Sequence, residues 1–311
     1  MNLTLAYRPT DSDIHRLNPF VMLAWVTAIL IAAMTVQHPV LLLAVFLSTV
    51  PIAYAARVGN QWAAMMKFVL WMSVAIVLIN VVVSQQGSHV LLEAGFRLPL
   101  LGTPRLTLEA VAFGGAMALR LAAIISAFTL LNLCVHPDDL MRAAIKLRLP
   151  YRSVLVTSLS TRFIPVLMAD ARTISDVQRS RGLAFDKGNL VQRIRNGGAL
   201  IFPLLSNSLD RAVQIAEAME ARAYGANMQR TFYRDRPMLG ADTMTIVVLF
   251  GGALLLVVAR VLGVESYDYY PALGGLSMSP VLWLGIGTLS AMLVAVIVSG
   301  TLQRRGVHDP V

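Results

Sequence analysis

Two arginines set between small residues are the side chains best placed for interaction chemistry. They stand in Ser180-Arg181-Gly182 and in Ala221-Arg222-Ala223. A guanidinium is a planar fork of donors that can bridge a carboxylate and helix-end carbonyls together, which a lysine cannot do. With small neighbours, such a cation can enter a partner's groove without steric interference. Two alike tips suggest one partner with two equivalent grooves, or two similar partners. Taken singly, each arginine reads rather as a solvated helix-end charge; their parallel contexts, with the resemblance given below, turn the reading to docking. A third cation, Arg120, lies well inside an apolar run, where a charge at mid-bilayer costs about 2.5–3.5 kcal/mol. It is expected to play a structural part, pairing with backbone carbonyls or a carboxylate.

Other chemistry is missing from the sequence. No Gly-x-x-x-x-Gly-Lys-Ser/Thr phosphate cradle occurs, so the chain is no P-loop ATPase. There is no His-Glu-x-x-His, and Asp138-Asp139 reads as a helix cap rather than an acid–base pair. Cys134 is the only cysteine, which excludes an intrachain disulfide and a cysteine metal cluster. No catalytic residues, cofactor or metal are expected. His15 alone is more often a surface or interfacial residue than a ligand.

The arginine tips need long elements behind them. Pro165 is followed by Leu167, Ala171, Ile174 and Val177, and Pro203 by Leu205, Leu209, Val213, Ala216 and Met219. Steps of three and four make each set one stripe of a helix. Each proline is expected in an opening turn, with glycine at the stop. Asn196-Gly197-Gly198 between them reads as a bend, and Asp138 as the cap of a short helix through Leu147 that Pro150 closes.

The rest of the chain is apolar enough to be a polytopic membrane protein: 57% hydrophobic and only 14% charged, against about 45–50% and 25% in soluble domains. Apolar runs fall at 20–36, 39–56, 66–84, 110–134, 243–262 and 280–300. The expectation is an all-α protein with about six transmembrane helices and a helical domain inserted between spans four and five. Its regions are 1–134, 135–240 and 241–311. The first two runs are short, and two spans are favoured over a broken hairpin. The first follows a polar lead without a cleavage site, so it reads as retained.

Net charge is +9, and residues 135–240 carry 16 Lys and Arg against 9 Asp and Glu. Basic loops beside spans mark the cytoplasmic side, so nucleic acid is not needed to explain them. Both termini are expected there, in the cell membrane. The opposite side receives 85–109, where a small hairpin is expected between 96–99 and 104–107.

These residues carry a resemblance. Ile14 to Pro19, Arg162-Phe163-Ile164-Pro165, Gln178 to Gly182 and Ala218 to Gly225 resemble the transmembrane T component of energy-coupling factor (ECF) transporters, the CbiQ/EcfT family, over roughly residues 13–230. The resemblance implies a non-catalytic coupling subunit of an ATP-driven importer. Its partners would be two ATP-binding cassette subunits, or a homodimer of one, and a small membrane protein (the S component) that captures a vitamin or a metal ion such as cobalt. Carried over, Arg181 and Arg222 are the docking arginines; Ser180 replaces the common Ala and Ala223 the common Gly. A membrane scaffold without an ATPase partner is the alternative.

Overall fold

A computed structural model describes residues 12–84, 89–93, 105–146, 150–182, 190–224, 238–263, 267–270, 274 and 280–306. Its elements in chain order are α1 (Pro19–Thr35), α2 (Pro39–Ala55), α3 (Gly59–Val83), β1 (Val90–Glu93), β2 (Arg105–Thr107), α4 (Leu108–Cys134), α5 (Pro137–Lys146), α6 (Tyr151–Ser180), α7 (Leu190–Ala221), α8 (Gly240–Val261) and α9 (Pro280–Gly306). The architecture is the helical, polytopic one expected. Two compact units divide it: residues 1–140 with 236–311, and residues 141–235.

In the first unit α1 is the central rod. Val21, Met22, Trp25, Ile29 and Ala32 are all buried; their spacing puts them on one stripe, which Ala24, Val26, Ala28 and Ala33 widen on either side. Ala24, Ala28 and Ala32 recur every four residues, the small-residue spacing that lets helices close up in lipid. Neighbours α2, α4, α8 and α9 pack around it. Asn18 caps the helix by accepting from the Phe20 amide at 3.1 Å, and Pro19 opens it.

The segment before α1 is buried, not superficial. Ile14, Leu17 and Asn18 are enclosed, and His15 with them. The His15 Nδ1 and Ser12 Oγ lie 2.7 Å apart. Burial holds the imidazole below its ordinary pKa, and a hydrogen bond with the Leu133 backbone opposes that shift.

Length separates the helices. At 17 residues each, α1 and α2 reach about 25 Å, short of the roughly 30 Å of bilayer hydrocarbon. His38 caps α2 through Nδ1, which accepts from the Val40 amide. Five helical stretches are long and apolar enough to cross: Gly59–Val83, Leu108–Cys134, Ser153–Ser180, Gly240–Val261 and Leu282–Gln303. The third is the least apolar, and it carries Arg162, Asp170, Arg172, Asp176 and Arg179.

Helix α4 is held at its start and along its side. Strands β1 and β2 pair antiparallel, with Leu92 opposite Leu106, so the hairpin's first strand lies upstream of the one expected at 96–99, which falls outside the described residues. The buried Glu109 carboxylate accepts from the His89 amide at 3.1 Å and meets His89 Nδ1 at 2.9 Å, tying the ribbon to the helix. Farther along, a Cβ on Gly114 would stand 3.0 Å from Val77 Cα of α3. The nearest atom is backbone, with Asn80 Cβ and Val77 Cγ2 at 3.4 and 3.5 Å behind it, so the tightest contact cannot yield by a side-chain rotation. Gly114→Val is therefore expected to force α3 from α4 and destabilise the chain by about 1–3 kcal/mol, read as a lower midpoint of thermal unfolding in detergent.

In the second unit α6 and α7 run antiparallel. Arg211 of α7 reaches Asp170 of α6 at 3.2 Å, with its guanidinium 6.0 Å from the Phe163 ring centre. Nearer the other end, Gln178 Nε2 lies 3.5 Å from the Ala199 carbonyl. Three expectations are corrected here. Pro165 and Pro203 lie inside their helices instead of opening them. Gly197-Gly198 are helical within α7, since an interior glycine costs only about 1 kcal/mol and tertiary context overrides that. Finally, α5 is capped by His136, whose Nδ1 accepts from the Asp138 amide at 3.1 Å; Asp138 stands in the first turn instead.

Candidate functional site

The two arginine tips have the same local geometry. At the end of α6, the Arg181 amide donates to Val177 and Gln178 carbonyls at 3.2 and 3.1 Å, and the Gly182 amide to Arg179 at 3.0 Å. At the end of α7, the Ala223 amide donates to Glu220 at 2.8 Å and the Tyr224 amide to Met219 at 2.9 Å. The residue after each arginine is left-handed, Gly182 with φ +87° and Ala223 with φ +51°. This is the reversal that closes a helix and satisfies its last carbonyls. Each arginine thus occupies the final position before the chain turns away.

That placement explains the exposure of both side chains. Arg181 and Arg222 are exposed, as are Ser180, Gly182, Ala221 and Ala223. Neither arginine makes an ion pair among the described residues, and each guanidinium sits where a helix dipole favours a cation. Ser180 Oγ donates back to the Asp176 carbonyl at 2.9 Å, so its hydroxyl adds no bulk beside Arg181. Because the helices are antiparallel, the tips lie at opposite ends of the pair, roughly 35 Å apart at the rise of an α-helix.

Ala223 bears strain that a glycine would not. An L-residue in the left-handed region costs about 1–2 kcal/mol. Ala223→Gly is therefore expected to tighten the end of α7 by about 1 kcal/mol, seen as slower hydrogen exchange at the Tyr224 amide. Unchanged exchange would show that the turn is held by something other than its own backbone.

The stripes behind the tips differ. Leu167, Ala171 and Ile174 on α6 are partly buried, whereas Leu205, Leu209, Val213 and Ala216 on α7 are exposed. Phe202, one turn earlier, is 75% exposed. Periodicity located this apolar face but gave no sign that the fold leaves it open. On α6, Val156, Ile164 and Met168 are likewise exposed.

Arg120 belongs to the first unit and is occupied differently. Its Nε donates to the Ala33 carbonyl at 2.8 Å and one terminal nitrogen to Val36 at 2.9 Å. It thus closes the carbonyl end of α1, where a cation offsets the dipole. Sequence reasoning missed Asp242. This buried carboxylate at the start of α8 accepts from Ser299 Oγ at 2.9 Å and Gln303 Nε2 at 2.8 and 2.9 Å on α9. The Leu239 amide adds a fourth contact at 3.2 Å. The signal was present, since Ser299 and Gln303 are four apart on one helix face. Among the described residues no group of three His, Cys, Asp or Glu could hold a metal.

Long apolar helices packed around a buried central rod define a multi-pass helical membrane protein. The chain belongs to the family of ECF transmembrane components: the profile of CbiQ, cobalt transport protein, matches residues 11–232. It is 32% identical over 261 residues to the energy-coupling factor transporter transmembrane protein EcfT of Bacillus selenitireducens, covering 80% of this chain and 94% of that one. Against the protein of the same name from Streptococcus thermophilus it is 30% identical over 255 residues, covering 79% and 94%. Identity to that of Bacillus subtilis is also 30%, over 266 residues, covering 82% and 96%. The profile match stops before α8 and α9.

Proposed function

We propose that this chain couples ATP hydrolysis in two partner ATPase subunits to a separate substrate-capturing membrane protein. Each ATPase receives one arginine tip in a groove, Arg181 on one subunit and Arg222 on the other. Motion of the grooves passes along α6 and α7 as a rigid-body change. The exposed apolar face of α7 carries the S component, which binds a vitamin or metal ion. In this arrangement residues 135–240 form the coupling domain on the cytoplasmic side of the plasma membrane, between membrane regions 1–134 and 241–311. Both termini share that side, in keeping with the basic residues clustered in the inserted block. The chain itself catalyses nothing.

The observation that carries this reading is the equivalence of the tips: two exposed arginines in one cap geometry at opposite ends of an antiparallel pair. A left-handed closing residue and a cation in the last turn are each common at a helix end; the docking reading is supported by their recurrence together with small flanking residues at both tips. The test is the Arg181→Ala, Arg222→Ala double variant, co-expressed with its ATPase subunits and purified from membranes. The variant is expected to insert normally and to lose the ATPases. Full retention of both would overturn the docking assignment and favour a scaffold held by other surfaces.

A further inference from the structure

Arg120 does more than close α1. It is one wall of a cleft of about 300 Å³, shared with Gln37, Asp268 and the rings of Phe113, Tyr269 and Tyr270. That size falls at the lower end of small-molecule sites. The guanidinium has five N–H donors. Two point to Ala33 and Val36 carbonyls and one to the Met117 sulfur at 3.5 Å. One N–H on each terminal nitrogen therefore has no acceptor among the described residues. Arg120 is only partly buried, so these donors are available to an anion.

The other side of the cleft suits a cation. Asp268 is exposed, and its carboxylate has no partner among the described residues. Beside it the tyrosines are held in place. Tyr269 donates to the Gln37 carbonyl at 2.6 Å, and the Tyr270 and Ser84 hydroxyls meet at 2.8 Å. Phe113 stands 5.4 and 5.9 Å from the Tyr269 and Tyr270 ring centres, and Tyr267 stands 4.7 Å from Tyr269. Aromatic faces next to a carboxylate form the usual cage for an ammonium group.

Position supplies the source of such a ligand. Helix α1 spans about 25 Å of a hydrocarbon layer roughly 30 Å thick. With its Asn18 cap at one headgroup layer, its carbonyl end, where the cleft lies, comes within about 5 Å of the other, a depth at which tyrosines are enriched. We infer that the Arg120–Asp268 cleft binds the headgroup of a zwitterionic phospholipid, with the phosphate on Arg120 and the ammonium between Asp268 and the tyrosine rings. A soluble phosphoammonium zwitterion has the same chemistry but no acyl chains to hold it at that depth.

The full-length chain is reconstituted in nanodiscs of equal phosphatidylethanolamine and phosphatidylglycerol, then released and weighed with its retained lipids by native mass spectrometry. Wild type is expected to favour phosphatidylethanolamine about threefold or more, the scale of one exposed cation–π contact. Asp268→Asn is expected to abolish the preference, and Arg120→Gln to lower retention of both lipids. Because Arg120→Gln can also loosen α1, the exposed Asp268 decides the outcome. Equal retention by wild type, or an unchanged preference in Asp268→Asn, would overturn the assignment. Displacement of the lipid by micromolar soluble phosphoethanolamine would overturn its lipid form.

Discussion

A chain carrying Arg222→Glu alone is expected to lose uptake almost as completely as one carrying Arg181→Glu and Arg222→Glu together. In the proposed coupling the two tips end one antiparallel pair, so a pull on one would be useful only while the other is held. Removing one partner of a desolvated, hydrogen-bonded charge pair costs about 2–5 kcal/mol, which is on the order of 30-fold or more in groove occupancy. Reversing the charge adds repulsion against whatever carboxylate the groove presents. The single and double variants should therefore be grossly non-additive, as expected for groups acting as a unit. Uptake of the captured substrate into cells, at matched membrane levels of each variant, is the measurement. If Arg222→Glu kept half of wild-type uptake and the double variant none, the tips would work independently and the coupled-pair reading would fail.

The second large effect is structural. Asp242→Ala is expected to destabilise the first unit by about 2–6 kcal/mol, because Ser299 and Gln303 would each lose an acceptor in a buried place, and the Leu239 amide one at the surface. Asp242→Asn is expected to fall between, since its amide accepts at one oxygen only. Thermal unfolding in detergent should show a drop of several degrees for the alanine variant. A midpoint equal to wild type would mean that water reaches these donors and that α8 and α9 are held by apolar packing alone.

Much of the architecture was legible because apolar runs and their stops are local. Asn18-Pro19 marks the start of α1, and Arg179 to Gly182 the end of α6, from residue type alone. What was missed depends on contacts between distant parts of the chain. Pro165 and Pro203 looked like helix starts because an interior proline lacks a hydrogen bond; neither sequence nor spacing says when packing will compensate. His15 looked superficial because no neighbouring residue announces the burial it finds near Leu133. Asp242 fell just outside the apolar run that begins at 243, so its partners on α9 went unsuspected. At the arginine tips, residue types alone located Arg181 and Arg222. The equivalence of their turns needed backbone angles, and Ala223 hid it by standing where a glycine would have declared it.

The antiparallel course of α6 and α7 has a mechanical result. In the coupling proposed above, loads applied at opposite ends of this antiparallel pair would not sum to a push along either axis; they would make a torque between the two ends. Arg211 and Asp170 bridge the two rods between those ends. What such loads would deliver is rotation, a turning of whatever rests on the pair.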